Sequence, residues 1–164
     1  LLKSKEKIVV KAGASSNDAN HISGPSRTGL ELGDAVRKVL LESAISEDEL
    51  SFISAHGTAT IYNDEMESKA FASAGLSEVP LHSLKGYFGH TLGAAGLLES
   101  ILTIYSLKEH IILASKNFEE LGVPEKVNVN KDLRSSDKNH ALKTASGFGG
   151  CNAAIVYSLE KFKA

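Results

Sequence analysis

The sequence predicts an α/β domain layered around a mixed sheet. Short β-branched or alternating apolar runs recur along the chain, segments with helical apolar spacing stand between them, and small residues close most of the runs.

The elements follow in order. Ile8-Val9-Val10-Lys11-Ala12-Gly13-Ala14 is too short for a helix and ends on glycine, so it predicts a buried strand, with a polar loop from Ser15 to Thr28. From Gly29, Leu32, Val36, Val39 and Leu40 recur at helical spacing, with Glu31, Asp34, Arg37 and Lys38 mostly opposite, as in a surface helix packed on a sheet. Ser46-Glu47-Asp48-Glu49 matches a capping box and predicts a short turn before the strand 51–55, which delivers His56. Asp64 to Ala74 is helical in pattern and Gly75 stops it; the strand 79–84 then delivers Lys85.

The segment His90 to Leu107 is apolar or small on nearly every face and predicts a fully buried helix. Short strands at 111–113, 127–129, 142–145 and 153–159 complete the chain around a polar loop at 131–140. Neither an internal repeat nor a proline-, glycine- or serine-rich linker divides these elements, so 1–164 reads as one domain.

Composition narrows the function. With 42% hydrophobic and 23% charged residues the chain is neither fibrous nor disordered. A formal charge of -2 with no block of five like charges predicts no nucleic-acid and no membrane partner. The uncharged stretch from Gly86 to Leu98 holds four glycines and a histidine, far short of the ~20 apolar residues of a spanning helix. One cysteine, Cys151, closes no internal disulfide, and charges replace the apolar core of a signal peptide, so a cytoplasmic location is expected. A start on leucine predicts a processed or truncated product.

Three segments stand at strand ends, where α/β sheets hold ligands: Ala55-His56-Gly57-Thr58-Ala59-Thr60, Lys85-Gly86-Tyr87-Phe88-Gly89-His90, and Ser146-Gly147-Phe148-Gly149-Gly150-Cys151-Asn152. A lone histidine is more often structural than catalytic, and His21, His82, His110 and His140 are read so. His56 and His90 differ because glycine flanks each. Two neutral imidazoles aimed at one point can donate N–H bonds to a developing oxyanion, each worth ~2.7–4 kcal/mol in a preorganised dry site. A metal site would need a third ligand such as Asp64, and neither a His-x3-His pair nor a Cys-His cluster is present.

Glu99 lies on an otherwise apolar helix; it is either buried against a partner, with Lys85 the choice, or at an exposed helix edge. The glycine turn at 147–150 lacks the pattern of a phosphate loop. Cys151, at the head of a predicted strand, reads as a small buried hydrophobe rather than a nucleophile.

These segments carry a resemblance. Ala-His-Gly-Thr-x-Thr with Asp64 and Glu67 eight and eleven residues after the histidine, Lys-x4-His-x2-Gly-Ala-Ala-Gly at 85–96, and Gly-Phe-Gly-Gly-x-Asn at 147–152, in this order, resemble the C-terminal half of a β-ketoacyl-acyl-carrier-protein synthase. The resemblance spans essentially the whole chain. It implies a thiolase-like C-terminal half, with a mixed five-stranded sheet and helices on both faces. It also implies decarboxylative Claisen condensation of malonyl units, carried on the phosphopantetheine of acyl carrier protein, with an acyl-enzyme in fatty-acid or polyketide-type synthesis, and no further cofactor.

By the same resemblance His56 and His90 bond the malonyl thioester oxygen, Lys85 is the active-site lysine and Glu99 its carboxylate partner. Thr58 and Thr60 contact the phosphopantetheine arm, Asp64 and Glu67 support the site, and Phe148 gates it. The nucleophilic cysteine belongs to the N-terminal half, so the expected partners are that half, acyl carrier protein and a second copy in a homodimer, and the fragment alone is expected to be inactive. A non-catalytic chain-length-factor-like subunit is the alternative, which retention of both histidines disfavours; a thiolase proper and a plain binding module are weaker ones. The chain departs from the family pattern at Ile61-Tyr62-Asn63 (usually Pro-x-Gly), Thr144 (asparagine), Ser146 (phenylalanine) and Cys151 (threonine), which bears on acyl-chain preference.

Overall fold

The computed structural model describes residues 6–162. Its centre is a mixed sheet of six strands in the order β1-β8-β7-β2-β3-β5: β1 Glu6–Asn17, β2 Leu50–Ser54, β3 Pro80–His82, β5 Asn128–Val129, β7 His140–Gly147 and β8 Cys151–Lys161. β1, β8 and β7 pair antiparallel, and β7, β2, β3 and β5 run parallel. The sheet is mixed as expected, with one strand more than five because the two-residue β5 joins its edge. The run at 111–113 does not join it. Its strand, β4 Ile111–Ile112, pairs instead with β6 Arg134–Ser135, inside the segment expected to be a loop.

Helices cover both faces. α1 Leu30–Ser43 and α2 Ile61–Ser73 pack on one, where Leu32, Val36, Val39, Met66 and Phe71 meet Ile53 and Leu142. α4 Ala95–Lys108 lies on the other, where Leu107 and Ile112 meet Phe52, Ala141 and Tyr157. Adjacent residues such as Phe52/Ile53 and Ala141/Leu142 feed opposite layers because strand side chains alternate. α1 and α2 approach closely at Gly29, whose φ of 69° opens α1; a Cβ there would stand 2.4 Å from the Met66 carbonyl oxygen. Ahead of β2 the capping box forms, with the Ser46 N–H donating to Glu49 Oε2 at 2.9 Å.

The segment 90–107 departs from expectation. Its first residues follow the short helix α3 Lys85–Phe88 and form a 3₁₀ turn, Leu92–Ala94, before α4 begins at Ala95. Moreover, α4 is not buried all round: its buried face is largely polar (Glu99, Thr103, Ser106), while Leu97 is 70% exposed and Tyr105 61%. Apolar residues outside and polar ones inside reverse the usual surface helix. Among the described residues no helix is long and apolar enough to cross a membrane.

Candidate functional site

The loop after β2 is held by two carboxylates of α2. Glu67 accepts the backbone N–H of His56 at 2.8 Å through Oε1 and that of Gly57 at 2.6 Å through Oε2. Asp64, one turn earlier on the same helix face, is met by the N–H groups of Thr58, Ala59 and Thr60. Burial pushes both carboxyl pKa values up, and these N–H groups oppose the shift. Asp64 and Glu67 therefore act on backbone, fixing where His56 and the two threonines stand. Gly57, at φ 42°, lies so near β3 that a Cβ would be 2.5 Å from Ser83 Cβ, and Ser83 Oγ donates to the Gly57 carbonyl at 2.6 Å. Thr58 and Thr60 share a hydroxyl contact of 2.8 Å.

Lys85 enters from the start of α3, nearly buried. Its ammonium donates to Glu99 Oε1 at 2.5 Å, to the His56 carbonyl oxygen, and to His56 Nδ1 at 3.4 Å. Glu99, 1% exposed, is thus on the covered face of α4 rather than at an open edge. Its second oxygen meets Lys143 Nζ at 2.5 Å. Lys143 has no place among the sequence candidates. Its signal is a lysine inside Ala141-Leu142-Lys143-Thr144-Ala145, a run that otherwise reads as a central strand.

His56 and His90 lie edge to face, ring centroids 5.1 Å apart at 80°. Both have Nδ1 occupied by a donor: the Lys85 ammonium for His56, and the Leu92 N–H at 3.0 Å for His90. A neutral imidazole that accepts at Nδ1 carries its hydrogen on Nε2, so each ring offers an Nε2–H. Burial above all, then Lys85, Lys143 and His90, hold the His56 pKa down to about 3, which keeps the ring neutral. A cleft of about 740 Å³ opens here, lined by Gly57, Thr58, Thr60, Asp64, Lys85 and His90 among others.

Phe148 does not line that cleft. It sits on the turn between β7 and β8, 79% exposed, and the Gly149 N–H anchors the turn to the Ile22 carbonyl. Two expectations fail. Cys151 is exposed rather than buried, because strand alternation turns Asn152 inward; its Sγ accepts from Asn17 Nδ2 at 3.6 Å. His82 is fully buried, but neither ring nitrogen has a hydrogen-bond partner, so it is no satisfied structural histidine.

In architecture the chain is an α/β domain of the thiolase-like type, the C-terminal half of a ketosynthase fold. It superposes with a TM-score of 0.86 on a ketosynthase from Xenorhabdus doucetiae solved with its chain length factor, at 29% identity over 93% of this chain and 39% of that one. A beta-ketoacyl synthase from Burkholderia phymatum gives 0.84 at 26% identity, over 94% and 37%. Residues 7–119 match the family described as beta-ketoacyl synthase, C-terminal domain, and the chain belongs to that family of acyltransferases. Among curated relatives, the 3-oxoacyl-[acyl-carrier-protein] synthase 2 of Vibrio cholerae is 31% identical over 150 residues, 87% of this chain and 36% of the relative. The 3-oxoacyl-[acyl-carrier-protein] synthase homolog of Saccharomyces cerevisiae is 33% identical over 155 residues, 87% and 35%. The chain therefore spans about a third of the length of the curated relatives it matches.

Proposed function

We propose that this chain is the malonyl-decarboxylating portion of a 3-oxoacyl-[acyl-carrier-protein] synthase whose nucleophilic cysteine lies in an N-terminal half. The observation that carries the reading is the pair of imidazoles 5.1 Å apart, each with Nδ1 occupied and Nε2–H free to donate. A malonyl thioester oxygen lying between the rings would receive both bonds. As carbon dioxide leaves, the electron pair of the broken C–C bond moves into the thioester to form an enolate, whose oxygen gains charge where the two donors stand. The enolate carbon then attacks the acyl thioester on the cysteine, forming the new C–C bond and expelling thiolate. Because the donors are fixed by Lys85 and by the Leu92 backbone, little reorganisation accompanies the charge shift.

Thr58 and Thr60 line the cleft, which supports their contacting a phosphopantetheine arm and acyl carrier protein as the delivering partner. The X. doucetiae ketosynthase was solved with a chain length factor, and the polar-inside helix α4 likewise fits a chain with a covering layer. The test uses the full-length synthase: His90→Ala is expected to abolish decarboxylation of malonyl-acyl carrier protein while the cysteine still acylates. Undiminished decarboxylation in that variant rejects the reading.

A further inference from the structure

Glu99 is gripped by two lysines, and only one belongs to the pair expected of such a site. Lys85 takes Oε1 and Lys143 takes Oε2, each at 2.5 Å, with side chains 7% and 3% exposed. Lys143 also reaches the carbonyl oxygens of Ala55 at 3.5 Å and Thr144 at 2.5 Å, so it ties β7 to the end of β2 just before His56. Strand register sets it beside Ser54, on the sheet face that α4 covers.

Resting on the reading above, we propose that Lys143 is a positioning residue for His56: by occupying the second oxygen of Glu99, it leaves the Lys85 ammonium directed at His56 Nδ1 and holds the ring as a neutral Nε2–H donor.

Two physical consequences follow from removing it. A buried carboxylate oxygen left without a cation attracts the nearest remaining donor, which is the Lys85 ammonium. The longest contact of that ammonium, 3.4 Å to His56 Nδ1, is the one given up. The charge balance also changes. His56 is faced by Lys85 from α3, Lys143 from β7, Glu67 and Asp64 from α2, Glu99 from α4 and His90 from the segment between α3 and α4. Subtracting one cation favours the imidazolium, and a proton on Nδ1 expels the Lys85 ammonium from that nitrogen.

The experiment compares full-length wild type with Lys143→Met and Lys143→Arg. The methionine variant is expected to lose roughly 10- to 100-fold in kcat for malonyl-acyl carrier protein decarboxylation, the scale of a mispositioned group, with KM and cysteine acylation unchanged. Its acid limb is expected to move to higher pH, and the arginine variant to recover both. Titration of the His56 ring by NMR, compared between wild type and Lys143→Met, reads the same effect without turnover: an upward shift supports the proposal and an unchanged ring pKa overturns it. A wild-type enzyme without decarboxylase activity would defeat the functional reading, while this titration still decides the role of Lys143. If Lys143→Met does not fold, Glu99→Gln is compared with Glu99→Gln/Lys143→Met. Equal kcat in the two, measured well above the acid limb, supports action through Glu99, and a further loss of kcat overturns it.

Discussion

Glu67 holds His56 by its backbone, not by its ring: one carboxylate oxygen accepts the His56 N–H at 2.8 Å and the other the Gly57 N–H at 2.6 Å. Glu67→Ala leaves one buried and one part-buried backbone donor without an acceptor, each costing ~1–3 kcal/mol. The variant is expected to be less stable by about 2–6 kcal/mol and so to unfold at lower denaturant. Glu67→Gln, which keeps one acceptor oxygen, should lose about half as much. Equal midpoints for wild type and Glu67→Ala in equilibrium urea unfolding would show that the loop is held elsewhere.

Acid should destabilise this fold early. The pKa values of His56 and His82 lie at about 3 in the folded chain against 6.5 for the free side chain, burial being the main cause. Between those values the unfolded chain binds protons that the folded chain refuses, so stability is complete above about pH 6.5 and falls as pH drops toward 3. Each group contributes a slope of about 1.4 kcal/mol per pH unit within that window. His82→Phe, whose ring would remain against Phe52 (now 5.0 Å between centroids), should remove its share of the slope. Chemical denaturation at pH 7, 6, 5 and 4 reads this; identical slopes in wild type and variant would contradict it.

The outward face of α4 should govern association of this chain. Leu97, Ile101 and Tyr105 stand exposed on it. In sedimentation velocity the isolated chain is expected to self-associate, and Leu97→Glu/Ile101→Lys to reduce this without lowering the melting temperature. A monodisperse wild-type monomer would contradict the first expectation.

At the β7–β8 turn, Ser146 Oγ donates to Asn152 Oδ1 at 2.7 Å, at a position where the resemblance implies a phenylalanine ring. Ser146→Phe in the full-length synthase breaks that bond and adds bulk behind the turn bearing Phe148. A shift of the product chain-length distribution is expected, by mass spectrometry of the acyl carrier protein. Equal distributions would remove Ser146 from the account of specificity.

Local pattern made much of this legible. The strands around 8–14 and 153–159, the helix from Leu32 to Leu40 and the capping box at Ser46 are short-range signals, and each is found near its expected place. Partner choice was not legible: Ile111-Ile112 reads as any short strand, and only tertiary packing sets it against Arg134–Ser135. For α4, composition announces an apolar helix but not which side meets the sheet, and the side that does carries Glu99, Thr103 and Ser106. The histidines and Lys85 were visible because glycines and strand ends mark them. Lys143 was not, because a lysine within a strand is ordinarily an edge or surface residue, and its carboxylate partner lies 44 positions away on another element.

The pairing of β1 with β8 joins the two ends of the described chain, from Glu6 opposite Lys161 to Asn17 opposite Cys151. During synthesis the His56 and His90 loops therefore emerge from the ribosome well before β7 and β8, and Glu99, already within reach of Lys85, must wait for the lysine that meets its second oxygen. Such long sequence separation slows assembly. A nascent chain stalled short of residue 140 would carry both histidines of the proposed site and the strands β2, β3 and β5, with the second oxygen of Glu99 still unmet.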